Sequence, residues 1–197
     1  MSLPPAIIHL IGHPAVGKYT VATALVKAAS DAGARCLLMD NHATANLILP
    51  ILDLEGADPV PHEVWDRVGE VREIVYKTIA DMSPPDWSFV FTNVLVADDP
   101  GDREVVERLS KLAQETARQY LPVRLTCEIG AQLERVVAPE RGPRHKWTDA
   151  TAVDRFVRAH DLVDVDGLDI DTTHQPPERS AVQILERLEQ RGDELTP

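Results

Sequence analysis

The residues best suited to chemistry lie near the N-terminus, in the stretch GHPAVGKYT. Two glycines and a lysine at this spacing are typical of a loop whose main-chain N–H groups surround phosphate oxygens. The lysine adds a mobile positive charge, and the helix expected to begin beside it adds the positive end of its dipole. A glycine-bounded turn carrying a surface lysine is the alternative. The predicted phosphate site comprises Gly12, His13, Pro14, Ala15, Val16, Gly17, Lys18, Tyr19 and Thr20.

The loop departs from the usual pattern at one position. A serine or threonine normally follows the lysine directly, but here Tyr19 takes that place and the hydroxyl comes one residue later, at Thr20. Tyr19 cannot replace the missing hydroxyl as a direct metal ligand. Its ring either packs on the helix or lies at the opening of the site.

Two later stretches place polar residues directly after apolar runs. LLMDNH changes abruptly from aliphatic residues to Asp40, Asn41 and His42. A carboxylate there could orient or deprotonate a hydroxyl group, or hold a metal-bound water. Asp and Asn also favour caps and turns, which is the alternative. FVFTNVL carries Asn93 where a motor ATPase or a GTPase usually has an aspartate for magnesium.

Positive charge is concentrated in the stretch LERVVAPERGPRHKW, although the formal net charge of the chain is -12. Guanidinium groups match the charge and geometry of a transferring phosphoryl group. We therefore expect at least one of Arg135, Arg141 and Arg144 to contact phosphate. The alternative is a solvated loop whose arginines pair with Glu134 and Glu140.

Alternating apolar strands and amphipathic helices must position these groups. The pattern predicts strands at AIIHLI, RCLLM, WSFVFTNVL, VRLTCEI and GLDIDT. It predicts helices at 18–30, 102–120, 132–137, 149–160 and 176–192. It also predicts a helical region at about 43–82 that is broken near 53–61. This order is typical of an α/β fold with a parallel sheet, in which ligands bind beyond the carboxyl ends of the strands.

Length and composition limit the remaining possibilities. The chain of 197 residues fits one domain, 1–197. Its acidity disfavours nucleic acid and anionic membranes as partners. We expect no signal peptide, no membrane span and two reduced thiols, which together predict a cytoplasmic protein.

The loop resembles that of the P-loop small-molecule and nucleotide kinases, since adenylate kinase and its relatives also carry a non-hydroxyl residue and then threonine after the lysine. The resemblance implies a three-layer P-loop NTPase fold with strand order 2-3-1-4-5. It implies that Thr20 contacts phosphate and that magnesium is held largely through water, with Thr20 and Asp40 nearest to it. Shikimate kinase and chloramphenicol phosphotransferase are similar at Asp40, where they carry a catalytic or substrate-binding aspartate.

The same resemblance, which includes the gluconate kinases, implies a lid at about 138–149 that carries the arginines. It also implies an adenine-side loop at Thr172 and Thr173. The expected activity is transfer of the γ-phosphoryl of ATP, with Mg²⁺, to a hydroxyl of a small molecule. Lys18, Asp40, Arg135 and Arg141 are the expected catalytic residues, and Arg144 the expected nucleotide contact. A nucleoside monophosphate kinase and a non-catalytic nucleotide-binding regulator are the alternatives, and the protein is expected to be a monomer or homodimer.

Overall fold

Strands alternate with helices along the chain, as the sequence predicts. The computed structural model describes residues 3–53, 60–138 and 147–194. Its strands are β1 (Ala6–Ile11), β2 (Cys36–Asp40), β3 (Ser88–Asn93), β4 (Gln119–Thr126) and β5 (Leu168–Asp171). Its helices are α1 (Lys18–Asp31), α2 (Asn41–Ala45), α3 (His62–Met82), α4 (Pro100–Glu115), α5 (Ile129–Val136), α6 (Ala150–Ala159) and α7 (Pro177–Glu194), and a 3-10 turn covers Leu49–Leu52.

The five strands form one parallel sheet in the order β2-β3-β1-β4-β5. This confirms the α/β class and the strand order expected from the resemblance. The register places Ile11 beside Asn93 and Asp40 beside Thr92. The polar residues after β2 and β3 therefore meet at the same carboxyl edge as the glycine loop after β1.

Helices cover both faces of the sheet. Every residue of the central strand β1 is buried. Leu10 packs in one cluster with Leu25 of α1 and Ile184 of α7, whereas Ile7 packs on the opposite face with Leu109 of α4. Burying one such aliphatic side chain contributes about 1.5–3 kcal/mol. These two apolar layers fix the strand ends that present the polar residues.

The boundary between α4 and β4 differs from the prediction. The sequence predicts a helix running to Tyr120, but α4 ends earlier and β4 has already begun there. Ala117 takes a left-handed φ of 51°, and the N–H of Arg118 donates to the carbonyl of Ala113 at 2.9 Å. A helix that ends on a left-handed non-glycine residue leaves little sequence signal. Pro122, expected to separate helix from strand, lies inside β4.

Other boundaries shift less. The helical region at 43–82 contains α2, the 3-10 turn and α3, while 54–59 lies outside the described residues. α5 begins three residues earlier than predicted, at Ile129, so the predicted strand ending there is too long. The lid at 138–149 is described only at its ends, and Arg141 and Arg144 lie outside the described residues. In the described part of the chain, no helix has the length and apolar content needed to cross a membrane.

Candidate active site

The glycine loop turns sharply between β1 and α1. The Gly12 N–H donates to the carbonyl of Asn93 at 3.2 Å, and a Cβ at Gly12 would lie only 2.7 Å from the Leu125 carbonyl oxygen. Ala15 and Gly17 both have positive φ, 67° and 99°. Left-handed residues interspersed with right-handed ones turn successive N–H groups toward one side, which forms an anion-binding concavity. The two positive φ values agree with a phosphate loop, and phosphate binding by this loop stays a prediction.

The side chains around the loop reinforce that shape. The Lys18 ammonium donates to the carbonyls of Gly12 at 2.5 Å and His13 at 2.8 Å. The amide Nε2 of Gln132, on α5, donates to the carbonyl of Pro14 at 2.5 Å. Gly17, at the N-cap of α1, supplies no capping side chain. The lysine is thus held across the loop, at the positive end of the helix dipole.

A cleft of about 1510 Å³ opens from the loop toward α3 and α4. Lys18, Tyr19 and Thr20 line it together with Asp40 and Asn93. The structure therefore brings the predicted phosphate loop and the predicted acceptor-side aspartate to one cavity. Tyr19 lies at this cavity, which is one of the two positions that the sequence left open.

Asp40 is held by its neighbour on β3. The Thr92 hydroxyl donates to Oδ1 of Asp40 at 2.6 Å, and the backbone N–H of Asn41 donates to the same hydroxyl oxygen at 3.3 Å. Thr92 is buried, so these two hydrogen bonds fix the orientation of the Asp40 carboxylate. Among the described residues, Oδ2 of Asp40 accepts no hydrogen bond, which leaves an oxygen able to accept a proton from a bound hydroxyl group.

Asn93 takes part in a buried network. Burial lowers the pKa of His9 to about 4, so the imidazole is neutral at physiological pH. The Tyr120 hydroxyl donates to Nδ1 at 3.0 Å, and Nε2–H donates to Oδ1 of Asn93 at 3.1 Å. Asn93 lines the cleft. Because its carbonyl oxygen is occupied by His9, its NH₂ group remains the hydrogen-bond donor available to a ligand.

Arg72 is a site residue that the sequence analysis did not select. It lies on α3 and lines the cleft, and its Nη2 donates to Oδ1 of Asn41 at 2.6 Å. Burial lowers the pKa of its guanidinium. Val64, Val68, Arg72 and Tyr76 follow one another at steps of four on α3. A charged residue within a buried helical stripe is the signal that could have identified it.

Asp102, at the start of α4, is a second residue that the sequence analysis did not select. Its Oδ2 accepts the backbone N–H of Val96 at 2.7 Å, and it lines the cleft. Burial raises the pKa of this carboxyl to about 6, with Asp99 adding to the rise. Such perturbed carboxyls are common at functional sites and also occur in purely structural networks.

The arginine before the lid contacts the loop after β5. Nη2 of Arg135 donates to the carbonyls of Thr172 at 2.7 Å and Thr173 at 3.0 Å. The Thr172 hydroxyl lies 2.7 Å from the carbonyl of Val16, which ties this loop to the phosphate loop. A Cβ built on Gly17 would lie 4.0 Å from Nη1 of Arg135. The structure thus places Arg135 at the phosphate loop. Its Nη1 also donates to the Thr172 hydroxyl at 3.2 Å, whereas the Thr173 hydroxyl donates to Oδ1 of Asp171 at 2.5 Å.

The segment after the lid packs over the loop. Nε2–H of His13 donates to the carbonyl of His160 at 2.9 Å, and burial lowers the pKa of His13. The rings of His13 and Trp147 each meet Phe156 of α6 edge to face. Trp147 also packs in one apolar cluster with Ala15 of the loop. The end of the lid region is therefore coupled to the phosphate loop.

The polar groups at this edge could supply only one or two protein ligands to a magnesium ion. In the residues that the structure describes, no cluster of three or more His, Cys, Asp or Glu side chains could hold a metal. Mg²⁺ usually keeps several waters and binds one or two carboxylates plus substrate phosphates. Asp40 and Thr20 border the cleft. They suit a magnesium ion that is held mainly by water and substrate phosphates.

No protein-family model matches the chain, and no curated protein matches it by sequence. Solved structures do match. A candidate kinase of Chloroflexus aurantiacus is similar over 100% of both chains, with a TM-score of 0.64 and 20% identity. A gluconokinase of Sinorhizobium meliloti also covers 100% of both chains, with a TM-score of 0.60 and 16% identity.

The APS kinase of Mycobacterium tuberculosis, in complex with AMPPNP and APS, covers 94% of this chain and 98% of its own. Its TM-score is 0.57 and its identity 12%. All three similarities extend over nearly the whole length of both chains. The chain therefore has the fold of the P-loop kinases.

Proposed function

We propose that the protein is an ATP-dependent phosphotransferase that moves the γ-phosphoryl of ATP to a hydroxyl group of a small molecule. The observation that carries the proposal is the single cleft shared by the phosphate loop and Asp40. Structural neighbours described as kinases support it, and one of them was crystallised with AMPPNP and its substrate. A common cleft would place donor and acceptor side by side, which such a transfer requires.

In the proposed reaction, the acceptor hydroxyl oxygen attacks the γ-phosphorus opposite the bridging oxygen. A new O–P bond forms while the bond to the bridging oxygen breaks, and ADP leaves with that electron pair. Oδ2 of Asp40 takes the hydroxyl proton, because Thr92 already occupies Oδ1. The donor NH₂ of Asn93 orients the acceptor. Asp40 then returns the proton to solvent.

Cationic side chains near the phosphate loop would balance the negative charge of the transferring phosphoryl group. The Lys18 ammonium donates to two loop carbonyls in this structure. With nucleotide bound, it would donate to phosphate oxygens instead, and Thr20 would contact phosphate beside it. Arg135, which lies near Gly17, would add a guanidinium. Arg141 and Arg144 are proposed as lid arginines, Arg141 at the transferring group and Arg144 at the nucleotide. Magnesium, held through water at Thr20 and Asp40, would neutralise phosphate charge when bound.

The base side of the nucleotide is proposed to lie against the loop after β5. On this side the cleft is lined by Arg135, Pro177 and Glu178. Thr172 and Thr173 would shape that side indirectly, since their hydroxyls, N–H groups and carbonyls are all engaged in local hydrogen bonds. This arrangement leaves the region near α3 for the acceptor.

An ADP-release assay with purified protein, ATP, Mg²⁺ and a panel of sugars, hydroxy acids, nucleosides and nucleotides tests the proposal. We expect at least one hydroxylated compound to stimulate ADP release. Asp40→Asn should then lower kcat roughly 100- to 10,000-fold and leave ATP binding unchanged. Asp31→Asn is the matched control, because Asp31 lies at the far end of α1 and, among the described residues, pairs only with Lys27.

Three results would count against the proposal. A fully active Asp40→Asn variant would remove the base assignment. Tight ATP binding without transfer to any acceptor would favour a nucleotide-binding regulator, while transfer to nucleoside monophosphates alone would identify a nucleotide kinase.

A further inference from the structure

Gly69 lies in the interior of α3, where glycine is an unfavourable residue. Glycine destabilises a helix relative to alanine, because its backbone loses more conformational freedom on folding. The local structure does not require it, since its φ is not positive and a Cβ built on it would meet no heavy atom of the described residues within 4 Å. Gly69 does line the cleft. The missing side chain therefore leaves room in the cleft for a ligand.

Trp65 lies one turn before Gly69 on α3 and lines the same cleft. It is 40% exposed, although tryptophan is on average a highly buried residue type. Trp65, Gly69 and Arg72 follow one another at steps of four and three, which places them on one face of the helix. An indole ring and a bare stretch of helix backbone thus lie next to each other in the cleft. We call them the Trp65–Gly69 surface.

Apolar side chains adjoin the Trp65–Gly69 surface. Leu49 and Val60 line the cleft with it. Both belong to an apolar cluster that includes Val68, the residue before Gly69 on α3. Aliphatic side chains beside an exposed indole are typical of sites that bind apolar parts of small molecules.

The charged side chains on this face of α3 have partners within the protein. Oδ1 of Asp66 lies 3.6 Å from Nδ1 of His62, and Glu73 accepts from Nε of Arg108 at 2.9 Å. These partners reduce the need for a charged group on the ligand. The surface suits an uncharged flat ring, because aromatic rings stack favourably on indole.

The distance from this surface to Asp40 sets the size of the ligand. Arg72 donates to the side chain of Asn41, the residue that follows Asp40, so Asp40 lies near that turn of α3. Trp65 lies two turns earlier, about 10 Å along the helix axis. A compound that contacts Trp65 and places a hydroxyl group at Asp40 is therefore on the order of 10 Å long.

We propose that the phosphate acceptor is an alcohol that carries an aromatic ring, with the ring on the Trp65–Gly69 surface and the hydroxyl group facing Asp40. This inference rests on the proposed phosphotransferase function. The ring would cover the indole and the bare backbone at Gly69, where even one methyl group would displace it. Trp65 and Gly69 would thus determine specificity and take no part in the transfer itself.

The test uses the indole Nε1–H signal of Trp65 in ¹H–¹⁵N NMR spectra of the full chain. Trp65→Phe removes this signal and so identifies it. Trp87, which lies beneath the guanidinium of Arg35, provides the reference signal. The probes are 3-phenyl-1,2-propanediol and 1,2-propanediol, which differ only in the phenyl ring. The phenyl compound should move the Trp65 signal saturably, whereas 1,2-propanediol at the same concentration should leave it in place.

Gly69→Ala separates ligand binding from folding. It should weaken the binding of 3-phenyl-1,2-propanediol roughly 5- to 100-fold, although alanine stabilises the helix. Gly130→Ala is the matched control, because Gly130 on α5 also lies in open space and, in the described part of the chain, does not line the cleft. Weaker binding in a more stable variant cannot result from unfolding.

The other outcomes overturn the inference. Equal shifts with the two diols would show that the ring is not recognised, and the absence of a saturable shift with the phenyl compound would show that Trp65 does not bind it. An equal shift of the Trp87 signal would show nonspecific binding. Unchanged affinity in Gly69→Ala would show that the glycine does not shape the site.

The proposed function can fail separately, and the same probes distinguish the two failures. If the phenyl compound moves the Trp65 signal but no alcohol with an aromatic ring, nucleosides included, releases ADP from ATP, the ring contact stands and the phosphotransferase fails. If aliphatic alcohols are phosphorylated as fast as the matching aromatic ones, the phosphotransferase stands and the aromatic acceptor is wrong.

Discussion

Replacing His9 with glutamine should change how the stability of the protein depends on pH. His9 is completely buried, and burial lowers its pKa from 6.5 to about 4. Between these values the unfolded chain binds a proton at His9 that the folded protein does not. The free energy of unfolding of the wild-type protein therefore decreases as the pH falls from about 6.5 to about 4.

The size of this effect follows from the two pKa values. Linkage gives a loss at His9 of about 2 kcal/mol between pH 8 and pH 5, out of about 3 kcal/mol for the full shift. Asp102 acts in the opposite direction, because its pKa in the folded protein is raised to about 6. Its effect is on the order of 1 kcal/mol after allowance for partial exposure. The wild-type protein alone would therefore show a shallow pH profile.

Urea denaturation of the wild-type protein and His9→Gln at pH 8 and pH 5 isolates the histidine. The variant lacks the titrating group, so its free energy of unfolding should fall by about 2 kcal/mol less than that of the wild-type protein. Asp102→Asn, measured alongside, should steepen the wild-type decline instead. Identical pH dependence in the wild-type protein and His9→Gln would refute the assignment of a neutral, buried His9.

Four further substitutions test the fold and the nucleotide side. Gly12→Ala should destabilise the protein by about 1–3 kcal/mol in urea denaturation, because its Cβ would collide with backbone. Gly69→Ala, in open space on α3, should stabilise it by about 0.5–1 kcal/mol in the same assay. Arg118→Met should cost about 1–3 kcal/mol, because backbone carbonyls lose their buried donor. Arg135→Lys should weaken ATP binding about tenfold by calorimetry, since its guanidinium holds the Thr172 loop in place.

The sequence predicted the features that depend on local residue type and spacing. The glycine loop could be recognised because Gly12 and Gly17 take up conformations and contacts that larger residues resist. Asp40 could be selected because a carboxylate directly after a buried strand is unusual, and parallel pairing then places it beside Thr92. The resemblance added the strand order, which hydrophobic patterning does not determine.

The missed features depend on contacts between residues far apart in the sequence. Arg72 gains its place in the site from its hydrogen bond to Asn41, which a local pattern does not reveal. The donor direction of Asn93 is set by His9 and Tyr120, on two neighbouring strands. The end of α4 depends on the left-handed Ala117, a conformation that alanine seldom adopts.

Isothermal titration calorimetry with ATP and Mg²⁺ tests most directly whether the glycine loop holds a polyphosphate. We predict saturable binding to the wild-type protein, weakened roughly 100-fold by Lys18→Ala. Lys77→Ala, an exposed substitution on α3, should leave the affinity unchanged. If the wild-type protein takes up no ATP, or if Lys18→Ala binds it equally well, the nucleotide assignment of the loop is contradicted.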